Sequence, residues 1–410
     1  VSTIPQALKS LARWLPIAVL VGILGGTASA VLLVSLNWAT TTREAHHWLI
    51  ALLPLAGLAV GCLYFYAGSK VEAGNNLILE EIHAEVTDDA HDPQRTIQLR
   101  MTPLILLGTF ITHLFGGSAG REGTAIQTGA SLADQLARPF RLNARQRRIL
   151  LMAGVSAGFA SVFGTPLAGT VFGLEVPLLG AMSYEAILPC LIAAFAGDLT
   201  TRAWHVHHTI YRVSATPAMS PLNLLYAALA GVCFGLAAML FSRLSHAITH
   251  TFKRYVAWPP LRPLLGGILV AAVVFASGST RFIGLGIPTI VEAFSLRQPW
   301  YFWLVKVLLT ALTIGAGFKG GEVTPLFFIG ATLGNALSGV LPLPPSLLAG
   351  MGFVAVFGGA ANTPLSSTFM AFELFGADAG AYAGIACVFA YLVSGHTGIY
   401  RAQRVARTKV

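Results

Sequence analysis

Two carboxylates set in glycine-rich loops of an otherwise apolar chain are the residues best placed to do chemistry. Gly116-Gly-Ser-Ala-Gly-Arg-Glu-Gly-Thr124 opens one apolar stretch and Gly317-Phe-Lys-Gly-Gly-Glu-Val-Thr-Pro325 opens another. Glycines let backbone N–H groups converge, and a helix that follows presents the positive end of its dipole, so each loop is suited to hold an anion. The backbone of Gly120, Arg121 and Gly123 supplies donors in the first loop. Glu122, in their midst, is itself an anion. It can fill the site when ionised and leave it when protonated, which makes it gate and proton carrier in one residue. The plainer reading is a helix-capping Glu or a partner of Arg121. In the second loop Val323 and Thr324 offer backbone amides, the Thr324 hydroxyl adds a donor, and Pro325 suits a first helical turn. Glu322 is a second carboxylate there, with Lys319 as its plainer partner.

Two further positions are weaker. Asn75, in Gly74-Asn-Asn76, carries an amide that donates well to an anion, though Asn is also a common helix N-cap. Tyr400 closes the last apolar segment, where a tyrosine is usually an interfacial anchor.

The elements that must position these residues repeat. Thr165, Pro166, Leu167, Thr170 and Glu175 recur as Thr363, Pro364, Leu365, Thr368 and Glu373. Glu122-Gly-Thr124 answers Glu322-Val-Thr324, Gly129-Ala-Ser-Leu-Ala-Asp134 answers Gly330-Ala-Thr-Leu-Gly-Asn335, and more faintly Gly74–Ile78 answers Gly284–Pro288. The order is the same and the offset stays near ~200 residues, as internal duplication requires. The expected organisation is a first half over 1–205, a linker over 206–220 and a second half over 221–410. Transporters built this way bind substrate near the midplane, where the halves meet.

Of the 410 residues 55% are hydrophobic and 10% charged, against about 25% charged in an average soluble domain. Trp14–Thr40, Trp48–Tyr66 and Leu222–Leu240 are long enough to cross a bilayer. Gly-rich interruptions at 116–123, 315–321 and 357–360 predict broken or re-entrant helices, tolerated only around protein or a water-filled cavity. The fold class is therefore an all-α polytopic membrane protein. The net charge of +9 resides in short loops and tails, at Lys9 and Arg13, at Arg138, Arg141, Arg145, Arg147 and Arg148, and at Arg401, Arg404, Arg407 and Lys409. That pattern places both termini and the 138–148 loop in the cytoplasm. It gives no reason to expect nucleic acid as a partner; the bilayer is the partner composition implies. Cys62, Cys190, Cys233 and Cys387 lie in apolar segments without metal-type spacing. No HExxH pair and no serine elbow point to an intramembrane enzyme, and no cofactor or metal site is expected.

Taken together these motifs resemble the CLC family of chloride channels and anion/proton antiporters. Gly120-Arg-Glu-Gly123 is similar to the family's gating-glutamate element, Gly320-Gly-Glu-Val-Thr-Pro325 to its second-half anion loop, and Gly158–Gly169 to the helix pair after the gate. Tyr400 falls where the family has a tyrosine lining the central anion site. The resemblance implies an inverted repeat with tilted and re-entrant helices, and a homodimer with one pathway per subunit. It departs from typical members at Asn75, where a serine element is usual, at Thr124 in place of proline, at Glu322 in place of an apolar residue, and at Val176, where many antiporters carry an inward-facing glutamate. Glu175 matches the carboxylate beside that position. These departures look like the fluoride/proton antiporter branch. They imply fluoride and protons as the transported partners, in a bacterial inner membrane, with a chloride/proton antiporter or passive chloride channel as the alternative. Ten residues follow Tyr400, so no cytoplasmic regulatory domain is expected after it.

Overall fold

The computed structural model describes residues 4–84 and 97–409. Residues 1–3, 85–96 and 410 of the two expected halves, and the side chain of Lys9, lie outside what is described. Among the described residues there are sixteen α-helices, and the only strands are two of two residues each.

The helices run in two sets of eight. The first set is α1 (Ile4–Ala45), α2 (Leu53–Ala67), α3 (Asn75–His83), α4 (Met101–Leu114), α5 (Glu122–Asp134), α6 (Ala144–Phe163), α7 (Pro166–Glu175) and α8 (Ile187–Ala203). The second is α9 (Pro221–Tyr255), α10 (Leu261–Ser277), α11 (Ile287–Ala293), α12 (Phe302–Gly315), α13 (Val323–Leu337), α14 (Pro345–Ala361), α15 (Pro364–Phe375) and α16 (Ala377–Val393). Packing repeats with the order: α5 lies on α6 as α13 lies on α14, and α1 on α8 as α9 on α16. No helix falls between Ala203 and Pro221.

Helix boundaries follow from local chemistry. α6 and α14 each end on a left-handed residue, Gly164 (φ 72) and Asn362 (φ 57). Each is followed by a Thr-Pro pair whose proline starts the next helix. Asparagine is one of the few residues besides glycine that visits this region readily, so the two turns do the same job with different residues. α6 begins at Ala144 behind a capping box of Asn143 and Gln146. Arg145, Arg147 and Arg148, expected in a loop, therefore lie on its first turns. Arg147 is held there by Asp134 (2.6 Å) and Glu81 (2.8 Å).

Close approach sets the core. A Cβ on Gly129 would fall on the Gly154 carbonyl, and one on Gly330 would fall on the Gly352 carbonyl. Small residues at these crossings let backbones touch, the usual way helices associate in lipid. Among the described residues four helical segments, Leu11–Ala45, His47–Ala67, Tyr184–Ala203 and Pro221–Tyr255, are long and apolar enough to cross a membrane alone. Several of the others begin or end inside the protein, as α5 does at Glu122, α7 at Glu175 and α13 at Val323.

Those ends meet in reciprocal pairs. Glu175, at the end of α7, accepts the Leu365 and Ser366 N–H groups at the start of α15 (3.0 and 2.8 Å). Glu373, in α15, accepts the Leu167 and Ala168 N–H groups at the start of α7 (2.8 Å each). Gly120 and Gly321 exchange N–H···O bonds of 2.6 and 2.8 Å. Contacts that run both ways between equivalent positions are what a two-fold relation produces, whereas a simple translation would run one way. The recurring Thr-Pro…Glu segment is thus a matched pair of helix caps. The chain closes with a parallel pairing of Leu178–Leu179 and Arg404–Val405, which ties the segment after Tyr400 to the end of α7.

Candidate functional site

Glu122 is the first residue of α5 and is 1% exposed. Its carboxylate lies at the N-terminus of α13. Oε2 accepts the Thr324 N–H and the Arg121 N–H, both at 3.0 Å, and Oε1 accepts the Thr324 hydroxyl. An unfilled helix start supplies donors that favour negative charge, and the carboxylate is seated where a small anion would use the same donors. Arg121 contributes its backbone. Its Nε stands 3.8 Å from Oε1 and has no hydrogen-bond partner among the described residues.

The neighbouring glycines act through space. Gly120 was expected to donate toward the anion, but its N–H is committed to Gly321 O. A Cβ on Gly120 would stand 2.7 Å from Glu122 Oε2 and 2.9 Å from Pro325 Cδ, so glycine here lets the carboxylate in. A Cβ on Gly123 would stand 3.1 Å from Asn75 Nδ2, which puts the Asn75 amide beside the start of α5. Of Val323 and Thr324, only Thr324 donates to Glu122 among the described residues. Val323 is fully buried beside it. The carboxylate also spans the two sets of helices, since α5 belongs to one and α13 to the other.

Asn75 begins α3, behind Gly74 at φ 59. Its Oδ1 has no hydrogen-bond partner among the described residues. The Tyr400 hydroxyl, on a residue 6% exposed, also has none. Both residues line a cavity of about 10 Å³ walled by Ile78, Ile126, Phe172 and Val176, the room one water or small ion needs. The Tyr400 hydroxyl is a donor left unpartnered among the described residues in an apolar chamber of that size, which suits a small anion, because a buried polar group without a partner is costly. On Asn75 it is Nδ2, not the acceptor Oδ1, that can donate to such an ion. Val176 reaches this chamber, while Glu175 is turned to its capping role.

Asn75 and Tyr400 also line a second cavity of about 560 Å³, together with Asn76, Lys319 and Glu322. Its rim residues Ser69, Glu72, Lys253 and Arg401 are exposed. Glu322 is the residue before α13 and makes no side-chain cap. Lys319, its expected partner, forms no ion pair with it among the described residues. The lysine ammonium lies instead over the Tyr64 ring, 4.0 Å from the centroid.

Some positioning residues gave no signal in the sequence. Asn76 Oδ1 accepts the Ala402 N–H at 3.0 Å, and Gln403 donates to Val176 O at 2.9 Å while accepting from Asn362 Nδ2 at 2.9 Å. These bonds hold the segment that carries Tyr400 against α3 and the end of α7. Ser118 fixes the gate loop through Thr310 (2.8 Å), Thr313 (3.2 Å) and Phe282 O (2.9 Å). Thr124, where the family has proline, shares a 2.7 Å hydroxyl contact with Thr109. Among the described residues, no group of three or more His, Cys, Asp or Glu side chains is arranged to hold a metal.

With the helix ends and their donors in place, the similarity to known proteins is specific. Residues 80–395 match the family described as "Voltage gated chloride channel". The chain is 52% identical over 408 residues, 98% of its length and 88% of the other's, to a protein of Pseudomonas syringae pv. tomato named "Chloride/fluoride channel protein". It is 26% identical over 421 residues, 95% of its length and 98% of the other's, to a Salmonella typhimurium protein named "Voltage-gated ClC-type chloride channel ClcB". The fold superposes on a "CLC-type fluoride/proton antiporter" with a TM-score of 0.91 at 32% identity, covering 99% of this chain and 100% of that one. A slow cyanobacterial chloride/proton antiporter shares the fold at a TM-score of 0.80 and 20% identity, covering 95% and 96%. An all-α inverted repeat of this family is a membrane transport scaffold, not an enzyme. The chain belongs to the CLC family of anion channels and transporters.

Proposed function

We propose that this protein is a fluoride/proton antiporter that exports fluoride. The observation that carries the reading is the seat of Glu122: its carboxylate takes the Thr324 amide and hydroxyl and the Arg121 amide, donors a transported anion would need. When the carboxylate is ionised it holds the site against the anion. Protonation removes its charge, weakens those bonds and lets it swing out, so that a proton and an anion use one site in turn and move in opposite directions. Asn75, Val323, Thr324 and Tyr400 frame the anion's path. Gly120 and Gly123 leave room for it, and Glu322, lining the wide cavity, is a stopping point for the proton where Val176 has no carboxyl to offer.

Fluoride is favoured over chloride by the donors. Fluoride is small and strongly hydrated, so a site must replace its water with short, strong hydrogen bonds. The Thr324 hydroxyl and amide beside Glu122 offer this, and so do the Tyr400 hydroxyl and the Asn75 Nδ2 at a chamber too small for a loose cage. The likeness to a fluoride/proton antiporter structure supports this choice, while the name of the Pseudomonas relative allows either anion.

In this reading residues 1–205 and 221–410 are the two halves, joined by 206–220. The protein is a homodimer in a bacterial inner membrane with both termini cytoplasmic, and the wide cavity, rimmed by Lys253 and Arg401, opens to the cytoplasm.

The test is anion efflux from proteoliposomes with external pH recorded. Fluoride efflux accompanied by proton uptake into the liposomes, with chloride excluded, is the expected result. Chloride moved as well as fluoride would keep the scaffold and overturn the role given to Asn75 and Thr324. Anion flux without proton movement would make the protein a channel.

A further inference from the structure

The 560 Å³ cavity carries four cations, Lys253, Arg262, Lys319 and Arg401, against Glu72 and Glu322. Two of the four are engaged. Arg401 donates to His246 Nδ1 at 3.0 Å, and Arg262 donates to Val256 O at 3.0 Å. Lys253 is exposed at the rim. Lys319 stands apart. It lies three residues before Glu322, and its ammonium rests on the ring of Tyr64, itself 5% exposed. No carboxylate is within ion-pair distance of it among the described residues. Its stem is threaded past Gly108, where a Cβ would stand 2.9 Å from Lys319 Cβ and 3.0 Å from Cγ. A glycine on α4 and an aromatic face from α2 thus hold this one lysine against the cavity wall. A cation on one face of a ring keeps its other side for a second partner, and here that side is the cavity.

We propose that Lys319, seated on Tyr64, is a capture site for small monovalent anions, filled before the anion reaches Asn75 and Tyr400. The inference rests on the reading that anions cross this cavity. Its chemistry differs from that of the inner site. One ammonium with no array of oriented donors recognises charge and hardly discriminates size, so chloride and bromide bind there as fluoride does. Discrimination belongs to the donors around Thr324, deeper in. Capture and selection are separate steps, and chloride competes with fluoride at the first while failing the second.

The experiment measures fluoride flux against fluoride concentration on the side where the cavity opens, with chloride or gluconate added at equal ionic strength. In the unaltered protein chloride raises the half-saturating fluoride concentration and gluconate does not. Lys319→Met raises it about three- to tenfold and abolishes the effect of chloride. Lys319→Arg keeps both properties, and the proton-to-fluoride ratio is the same in all three. Undiminished chloride competition in Lys319→Met overturns the proposal. So does a fall in maximal flux with half-saturation unchanged, or a change in the proton ratio, which would put Lys319 on the proton's route. Should Lys319→Met not fold, crystals of the unaltered protein soaked in bromide decide: anomalous density beside Lys319 Nζ supports the site and its absence overturns it. Failure of the antiporter reading looks different, as fluoride moving without protons or chloride being carried, while the bromide peak stands.

Discussion

A carboxylate and a fluoride ion ask for the same thing from a protein, short hydrogen bonds from oriented donors, and Thr324 offers two of them at one point. In the proposed mechanism this makes Glu122 a competitor for the site and ties anion occupancy to its proton. Glu122→Gln keeps the shape and removes the titration. The expected outcome is loss of proton movement in proteoliposomes with pH recording; coupling that survives in Glu122→Gln would mean another group carries the proton. Thr324 tests the other side. Hydrogen bonds to charged groups contribute about 1.5–3 kcal/mol, and each 1.4 kcal/mol is tenfold in affinity. Thr324→Val, which keeps the amide and the bulk but drops the hydroxyl, should weaken fluoride binding by about tenfold or more, while Thr324→Ser stays near the unaltered protein. Calorimetric titration of fluoride reads both, and equal affinities for Val and Ser would remove the hydroxyl from the site.

At the scale of elements the recurring glutamates are informative. Thr165–Glu175 and Thr363–Glu373 are similar in sequence because each helix ends in a carboxylate that closes the other's start. Removing one leaves two helix-terminal amides without an acceptor, a loss of about 1–3 kcal/mol. Glu175 is 6% exposed and Glu373 is half-buried, so Glu175→Ala should lower the thermal midpoint in detergent more than Glu373→Ala. The reverse order would show that burial does not set the strength of these caps. The repeat, the glycine-rich loop before Glu122 and the broken helices were legible in the sequence because glycine, proline and threonine mark turns locally and recur at one offset. What the marks joined was not. Gly120 sits in a glycine-rich loop that reads as a set of anion donors, yet its own N–H goes to Gly321. Asn76 reaches Ala402 and Gln403 reaches Val176 from the far end of the chain. Such pairings have no spacing to read, because they depend on how the two sets of helices are folded against each other. The same holds for Lys319: its neighbour Glu322 is the obvious partner along the chain, and Tyr64 is the partner in space.

For the whole molecule, the decisive feature is that the candidate site draws its residues from both sets of helices of one chain. Glu122 from α5, Thr324 from α13, Asn75 from α3 and Tyr400 from the segment after α16 all belong to a single protomer, and the narrow cavity is closed by that protomer's own residues. The outer face of α8 presents Ile187, Leu191, Phe195 and Leu199 at every fourth position, and α15 adds Leu365, Phe369 and Phe372. An apolar surface of this kind meets lipid or a second copy, and in the proposed homodimer it lies away from the anion path. Pairing would then bring two complete pathways together without sharing a donor between them. Independence follows, and it can be measured. When unaltered and Glu122→Gln chains are co-expressed in known ratio and reconstituted, proton-coupled fluoride flux should fall in direct proportion to the fraction of unaltered chains. Flux falling with the square of that fraction would mean that a protomer works only beside a competent partner. In that case the site would depend on the pair, and a contact between copies would have to reach the Glu122 loop or the segment that holds Tyr400.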